Sequence, residues 1–132
     1  MKTSTIILAA GQGTRMRSKT PKVLHPLNGR PLASYSIHAA QEATGTKPVL
    51  IIGHGQDEVR RVLGETADYI VQEPQMGTGH AVLQAKSRLA GKSDLVLVTY
   101  ADMPLVTPES LRRLVDAQRS HRGPVTILTV IA

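Results

Sequence analysis

The sequence predicts an α/β domain with a mostly parallel sheet and helices on both faces. Its 132 residues suit one domain of ordinary size. Short apolar runs of strand length alternate along the chain with longer stretches of helical period. Such alternation is typical of parallel strands joined by helical crossovers. Ligands of these sheets bind beyond the carboxyl ends of the strands, so we expect a functional site in the loops that follow the strands.

Five runs rich in Val, Ile, Leu or Tyr are short enough to be buried strands. They are residues 5–8, 49–52, 69–71, 95–98 and 125–131. The fourth, with four consecutive aliphatic residues, is the clearest strand pattern in the chain. The fifth runs almost to the last residue, where an exposed terminal strand would be prone to aberrant edge pairing. We therefore expect the chain to be a fragment, or an unusually short relative, of a longer protein.

Four stretches place apolar residues at helical spacing. They are residues 32–43, 58–64, 78–89 and 108–120. Asp57 is expected to cap the second helix, while Thr107 caps the fourth and Pro108 occupies its first turn. The side chains expected to face the core are Leu32, Tyr35 or Ser36, Ala39 and Ala40, then Val59 and Leu63, then Ala81, Val82, Ala85 and Leu89, and finally Leu111, Leu114 and Val115.

The composition excludes several classes of protein. The chain has no cysteine, which excludes disulfides, thiolate metal sites and cysteine nucleophiles and fits a cytoplasmic location. No apolar stretch approaches the roughly 20 residues that cross a membrane, so we expect no membrane partner. The apolar run after Met1 and Lys2 ends in a Gly/Arg-rich loop, which is not the pattern of a signal peptide.

The positive charge is confined to one segment. Residues 1–41 contain six Lys or Arg and no acid, whereas the remaining residues contain ten of each sign, so this segment carries the whole net charge of +6. Localised charge of this kind attracts an anionic partner. A nucleic-acid surface and a merely solvated basic face are the alternatives. Since the chain has three Tyr and no Phe or Trp, base-stacking platforms are scarce, and we expect a small phosphorylated ligand rather than nucleic acid.

This charge gathers in the loop that follows the first strand. The loop opens at Gly11 and Gly13, and its basic residues are Arg15, Arg17, Lys19 and Lys22. Glycine lets the backbone approach a ligand, successive N–H groups can cradle an anion, and basic side chains neutralise phosphate. Incidental glycines at a strand end are the alternative. The dinucleotide fingerprint fails at Met16, and no glycine precedes a Lys-Ser/Thr pair at the Walker spacing.

Two segments resemble sugar-1-phosphate nucleotidyltransferases. Residues 8–16 (LAAGQGTRM) with 21–24 (PKVL) resemble the superfamily signature. Residues 72–81 (QEPQMGTGHA) resemble the uridine-contacting segment of bacterial N-acetylglucosamine-1-phosphate uridyltransferases, which form the N-terminal half of a bifunctional enzyme. Residues 25–27 and 100–105 fit the same family, and the resemblance covers essentially the whole chain.

The resemblance implies a fold and a reaction. The fold is Rossmann-like, of the nucleotide-diphospho-sugar transferase type, with residues 1–132 forming the N-terminal part of a longer nucleotidyltransferase domain. The reaction is Mg²⁺-dependent transfer of a uridylyl group from UTP to N-acetylglucosamine 1-phosphate, which yields pyrophosphate and UDP-N-acetylglucosamine, a cell-wall precursor. The alternatives are a nucleotide-binding fragment or degenerate relative without turnover, or a transferase for another sugar 1-phosphate. Whether the protein forms a homo-oligomer is open.

The resemblance also implies roles for individual residues. Those expected to border the base and ribose are Leu8, Ala9, Ala10 and Gly11, and those expected to cradle the phosphates are Gly13, Thr14 and Arg15. Gln72, Gly77 and Thr78 would read the uracil edge, and Tyr100 and Ala101 would complete the substrate site. Arg15, Lys22 and Asp102 would be catalytic, with Lys22 near the α-phosphate and Asp102 as the Mg²⁺ ligand.

Each of these segments also has a plainer interpretation. Residues 72–79 could simply cap the following helix, and Asp102 could be a turn residue before Pro104. Asp102 does directly follow an apolar strand, where a lone buried charge would be costly and a metal would offset that cost. His54 and His80 lie near the predicted ligand loops and are expected to be structural.

Two departures from the family bear on activity. Ala101 stands where the family usually has glycine, so its methyl group is expected to crowd the sugar or the nucleotide. The family draws further sugar contacts and a second metal ligand from positions beyond residue 132.

Overall fold

The computed structural model describes residues 1–11 and 19–131. The strands formed by these residues are β1 (Thr3–Leu8), β2 (Pro26–Leu27), β3 (Arg30–Pro31), β4 (Val49–Ile52), β5 (Asp68–Val71) and β6 (Leu95–Tyr100). The helices are α1 (Leu32–Thr44), α2 (Gln56–Leu63), α3 (Thr78–Leu83), α4 (Lys86–Leu89) and α5 (Pro108–Arg119). Within these ranges, no helix is both long enough and apolar enough to cross a membrane.

A four-stranded parallel sheet forms the centre of the fold. Its strand order is β5-β4-β1-β6, with Ile6 opposite Val49 and Leu8 opposite Tyr100. The chain moves outward from β1 through β4 to β5, then returns to the other side of β1 as β6. A crevice forms at the carboxyl ends of the strands where the order reverses in this way, and that is the usual ligand position in such sheets.

Helices cover both faces of the sheet, as predicted. On one face, Ile7 and Leu50 pack against Ala33 and Ile37 of α1, and α2 and α5 add to the same layer. On the other face, Ile6, Val49 and Ile51 pack against Ala81 and Ala85. Every residue of β4 is buried, as its uninterrupted aliphatic sequence predicts for a strand that is covered on both sides.

Two helices differ from the prediction, one at its start and one in its middle. Asp57 lies inside the first turn of α2, and the residue that caps this helix is Gly55, with φ +69°. Glycine is needed there because a Cβ atom at position 55 would lie 2.4 Å from Cγ of Pro21. The single helix predicted at residues 78–89 is divided into α3 and α4, because the Ala85 amide bonds to the Val82 carbonyl in a tighter turn. Its predicted inward-facing side chains nevertheless pack in the core.

The predicted fifth strand is wrong. Residues 124–131 form no strand, and Val125, Ile127 and Val130 are mostly exposed. Polar contacts tie this segment to the end of α5, where Thr126 donates a 2.7 Å hydrogen bond to Oε1 of Gln118. Residues 124–128 line an apolar cavity of about 630 Å³ along β6 and α5. An apolar β-branched run favours a strand only where a partner strand is at hand, and this segment pairs with no strand among the described residues.

Candidate active site

A cavity of about 450 Å³ opens at the carboxyl ends of β1, β5 and β6. These ends are where the sequence predicts a site. The side chains and backbone that line it belong to Leu8, Ala9, Ala10, Gly11, Lys22, Val23, Gln72, Gln75, Gly77, Thr78, Ala81, Tyr100 and Asp102. Apart from Ala101, every predicted site residue that the structure describes is in this group. Gly13, Thr14 and Arg15 lie outside the described residues and stay predictions.

The backbone that follows β1 forms one wall of the cavity. The Ala9 N–H still bonds to the Ile51 carbonyl at 2.8 Å, so the loop leaves the sheet after this residue. Ala9 and Ala10 are buried, whereas Gly11 is exposed. None of the described residues has an atom within 4 Å of the position that a Cβ atom on Gly11 would occupy.

Lys22 and Asp102 meet across the mouth of the cavity. Nζ of Lys22 lies 2.8 Å from Oδ2 of Asp102, and the two side chains are 40% and 38% exposed. Lys22 begins a short 3₁₀ turn whose next two residues, Val23 and Leu24, are buried and hold it in place. Asp102 lies two residues beyond the end of β6. The structure thus joins a predicted phosphate ligand and the predicted metal ligand in one ion pair.

The loop after β4 supports the Lys22 turn from behind. Pro21 immediately precedes that turn, and its ring fills the space beside Gly55 where a side chain would otherwise project. The His25 carbonyl accepts a 2.9 Å hydrogen bond from the Leu32 amide at the start of α1. The position of Lys22 therefore depends on packing as well as on its ion pair.

Gln72 lies at the base of the opposite side of the cavity. It follows β5 directly, is only 3% exposed, and its amide N–H bonds to the Ile52 carbonyl at 2.8 Å. Its side-chain nitrogen lies 3.2 Å from the Gly77 carbonyl oxygen and 2.9 Å from Nδ1 of His80. Gly77 is the N-cap residue of α3 and has φ +94°. The loop of residues 72–77 is therefore organised around the Gln72 amide.

Gln75, Val23 and Ala81 line the cavity although the sequence analysis did not place them there. The Gln75 side-chain nitrogen donates a hydrogen bond to the Ala10 carbonyl. A Cβ atom on Gly53 would lie 2.8 Å from the same nitrogen, so the loops after β1, β4 and β5 all meet at Gln75. Nothing in the sequence marks Gln75 beyond its place in the segment 72–81, because its partner lies 65 residues earlier.

Ala101 is placed differently from the expectation. Its side chain is fully buried in the core beneath α1, and it does not line the cavity. Its amide N–H donates a 3.0 Å hydrogen bond to the Leu8 carbonyl, which continues the pairing of β1 with β6. The methyl group is therefore part of the core and not of the cavity wall.

The carboxylate at the cavity suits a cation that is also coordinated by the phosphate oxygens of a ligand. Nowhere in residues 1–11 and 19–131 do three or more His, Cys, Asp or Glu side chains gather as a metal cage. Asp102 is the single carboxylate among the cavity-lining residues. Mg²⁺ is commonly held by one or two carboxylates together with substrate phosphates, so a half-exposed Asp102 at the mouth of this cavity fits this ion.

Comparison with known proteins identifies the relatives of this chain. The model of the MobA-like NTP transferase domain matches residues 5–130. The bifunctional protein GlmU of Exiguobacterium sp. is 44% identical over 132 residues, which is the whole of this chain and 29% of that protein. The chain therefore spans less than a third of this curated relative.

Solved structures share the fold. A nucleotidyl transferase from Methanothermobacter thermautotrophicus superposes with a TM-score of 0.76 at 26% identity, over 87% of this chain and 57% of that chain. The manganese complex of Rv0371c from Mycobacterium tuberculosis superposes with a TM-score of 0.75 at 23% identity, over 91% of this chain and 61% of that chain.

Proposed function

The chain belongs to the MobA-like NTP transferase family, within the sugar-1-phosphate nucleotidyltransferases, and from this premise we propose a specific reaction. In it, a uridylyl group passes from UTP to N-acetylglucosamine 1-phosphate, giving UDP-N-acetylglucosamine and pyrophosphate. The observation that carries the proposal is the meeting of Gln72 and Gly77 with the Lys22–Asp102 pair around one cavity. The choice of UTP and of this sugar rests on the resemblance of residues 72–81 to the uridyltransferases and on the GlmU relative.

The chemistry needs no covalent protein nucleophile. A phosphate oxygen of the sugar phosphate attacks the α-phosphorus of UTP, the bond from that phosphorus to the β-phosphate oxygen breaks, and pyrophosphate leaves. Such transfers depend on positioning the two reactants in line and on stabilising the charge that develops on the phosphates. In this proposal the wall around Gln72 positions the base, and Lys22 and Asp102 at the mouth stabilise charge on the phosphates.

Each wall of the cavity has a proposed part. The backbone of residues 8–11 borders the base and ribose, and Gln72, Gly77 and Thr78 read the uracil edge. Lys22 neutralises charge near the α-phosphate, and Tyr100, which lines the same cavity, completes the substrate site. Gly13, Thr14 and Arg15 are proposed to cradle the phosphates. Ala101, which is buried in the core, has no contact role in this proposal.

Asp102 is proposed to hold Mg²⁺, which when bound would neutralise part of the triphosphate charge. Lys22 and Asp102 balance each other's charge at 2.8 Å without a ligand. A triphosphate in the cavity gives the Lys22 ammonium a second anionic partner, which frees the carboxylate. The two side chains are half-exposed, so this exchange requires no buried charge to lose its partner.

A second candidate function is nucleotide binding without turnover. It is favoured by the coverage of the comparisons, because the chain spans 29% of the Exiguobacterium relative. On this proposal residues 1–132 are the nucleotide-binding part of a longer nucleotidyltransferase domain that contributes further sugar contacts. A transferase for another sugar 1-phosphate is the remaining alternative. A cytoplasmic location is proposed with either function.

The deciding experiment combines turnover with binding. Pyrophosphate release is measured with UTP, Mg²⁺ and N-acetylglucosamine 1-phosphate, and UTP alone is titrated by calorimetry. Release that disappears in Asp102→Ala supports the transferase. UTP binding without release identifies the second candidate function. A folded sample that neither binds UTP nor releases pyrophosphate contradicts both proposals. Parallel assays with the other nucleoside triphosphates and with glucose 1-phosphate test the base and the sugar.

A further inference from the structure

We propose that His80 helps to select the base by holding the Gln72 amide in the orientation that the Gly77 carbonyl sets. His80 is a positioning residue in this proposal, since it acts through Gln72 and touches no reacting atom. The inference rests on the proposed function, because it concerns the same nucleotide cavity. It adds a specific consequence, namely that removing His80 weakens the preference for a uracil base over a cytosine base.

The Gly77 carbonyl fixes the orientation of the Gln72 amide. A backbone carbonyl oxygen only accepts hydrogen bonds, so the side-chain atom of Gln72 that lies 3.2 Å from it must be the NH₂ group. The same nitrogen lies 2.9 Å from Nδ1 of His80. Because the nitrogen is a donor, Nδ1 must be the unprotonated, accepting nitrogen of a neutral imidazole, and the ring proton is on Nε2.

Gln84 makes one hydrogen bond to His80 in this assignment, and that bond is to the backbone. Its side-chain nitrogen lies 3.2 Å from the His80 backbone carbonyl and 3.2 Å from Nε2 of His80. A neutral imidazole has one accepting nitrogen, so only one of the two ring contacts can be a hydrogen bond. The shorter contact, which comes from the buried Gln72, is this hydrogen bond. Gln84 donates instead to the backbone carbonyl oxygen of His80.

The assignment leaves an acceptor for the ligand. Both side-chain hydrogen bonds of Gln72 within the described part of the chain use its nitrogen, and Gln72 lines the cavity. Its carbonyl oxygen is therefore the polar atom that it can offer to a base. Uracil presents N3–H, which is a donor, whereas cytosine presents an unprotonated N3, which is an acceptor. An acceptor held in place bonds to the first base and repels the second.

Without His80 the amide would be held less firmly. A glutamine whose amide group can rotate by half a turn offers either its oxygen or its NH₂ group to the ligand, so it can pair with either base. In the structure, rotating the Gln72 amide in this way would place its oxygen against Nδ1 of His80 and against the Gly77 carbonyl, which are both acceptors. His80 adds to the resistance of the Gly77 carbonyl, because a rotated amide would require the ring proton of His80 to move from Nε2 to Nδ1. The His80 contact is also the one that a side-chain substitution can remove.

The test compares UTP and CTP binding by calorimetry in the presence of Mg²⁺. The parent is expected to prefer UTP, and His80→Ala is expected to reduce that preference about tenfold, through weaker UTP binding, tighter CTP binding or both. His80→Asn should retain the preference, because its side-chain oxygen can occupy a position close to that of Nδ1. His38→Ala is the matched control, since His38 is an exposed histidine on α1 away from the cavity.

The outcomes separate this inference from the proposed function. A parent that prefers UTP, together with an unchanged ratio in His80→Ala, overturns the inference and leaves the proposed function standing. Equal weakening of both nucleotides in His80→Ala shows a purely structural role and also overturns it. If His80→Ala fails to fold by circular dichroism, His80→Asn decides, and a lost preference in that variant overturns the inference. A parent that binds CTP as well as UTP contradicts the uridylyl proposal itself.

Discussion

The Lys22 ammonium and the Asp102 carboxylate form a 2.8 Å ion pair across 80 residues of sequence. Both side chains are about two-fifths exposed, and ion pairs of that exposure typically contribute less than about 1 kcal/mol to stability. The pair therefore adds little to the fold, while it places a cation and a carboxylate at the mouth of the cavity. We infer that its importance lies in the proposed reaction.

Removing either partner should reduce turnover without unfolding the protein. For Lys22→Ala and Asp102→Ala we expect pyrophosphate release to fall by 10²–10³, equivalent to about 3–4 kcal/mol of barrier, because a preorganised charge-stabilising group is lost. The free energy of unfolding in urea should change by less than about 1 kcal/mol. Turnover within tenfold of the parent would contradict the role of the substituted residue.

Lys47→Ala is the matched control for this pair. Nζ of Lys47 lies 3.5 Å from a carboxylate oxygen of Asp68, and the two side chains are 44% and 36% exposed. The pair lies at the amino end of β5, whereas the cavity lies at the carboxyl ends of the strands. Its loss should cost as little stability as the loss of Lys22 and should leave turnover unchanged.

Metal removal should act through Asp102. In the parent, UTP binding measured by calorimetry is expected to weaken when EDTA replaces Mg²⁺, because the carboxylate and the triphosphate then repel each other. In Asp102→Asn, which keeps the side-chain shape without its charge, EDTA should make little difference. Equal sensitivity of both proteins to EDTA would place the metal on other residues.

Gly55 and Gly45 allow a test of how the Lys22 turn is supported. Both have φ +69°, but a Cβ atom on Gly45 would meet no atom of residues 1–11 and 19–131 within 4 Å, whereas one on Gly55 would lie 2.4 Å from Pro21. Gly45→Ala should cost about 1 kcal/mol of unfolding free energy for the left-handed backbone. Gly55→Ala should cost at least about 2 kcal/mol more because Pro21 must shift.

The same pair of variants should differ in ligand binding. Pro21 precedes Lys22, so a shift of Pro21 is expected to weaken UTP binding in Gly55→Ala and not in Gly45→Ala. Calorimetry at a temperature where both variants are folded checks this. Unchanged UTP affinity in a destabilised Gly55→Ala would show that the Lys22 position is independent of this packing.

Ala101→Gly should affect stability more than binding. The methyl group is fully buried in the core, so its removal and the added backbone freedom should cost about 1 kcal/mol of unfolding free energy. UTP affinity and the KM for the sugar phosphate should stay unchanged, since this side chain does not line the cavity. A clear gain in either affinity would restore the view that the methyl group crowds the ligand.

Local sequence patterns predict most of the fold. The aliphatic run of β4 and the 3.6-residue period of α1 and α5 depend on neighbours in sequence, and the predicted ends lie within a few residues of the observed ones. Residues 125–131 are also rich in β-branched and aliphatic residues, but whether they form a strand depends on a partner that composition does not specify. The cap of α2 was missed because Gly55 and Asp57 are both acceptable cap residues, and only contact with Pro21 distinguishes them.

The position of the site was predictable, but its internal contacts were not. The rule for parallel sheets, together with the resemblance of residues 8–16 and 72–81 to a known family, indicates which loops meet. The pairing of Lys22 with Asp102, the bond from Gln75 to Ala10 and the contact of His80 with Gln72 depend on side-chain orientation after those loops have met. No periodicity or spacing in the sequence encodes these distances.

The position of β1 between β4 and β6 determines the order in which the site can form during synthesis. β1 can pair with β4 soon after both are synthesised, whereas its other edge stays unpaired until β6 is synthesised. At that edge the Lys2 backbone amide donates a hydrogen bond to the Asp94 carboxylate, 92 residues later. Closing the longer loop costs more conformational entropy, so β6 is the last of these strands to dock. We therefore expect a nascent chain to expose one edge of β1 and the basic segment after it until β6 brings Asp102 to Lys22. Charge neutralisation at Lys22 thus coincides with completion of the sheet.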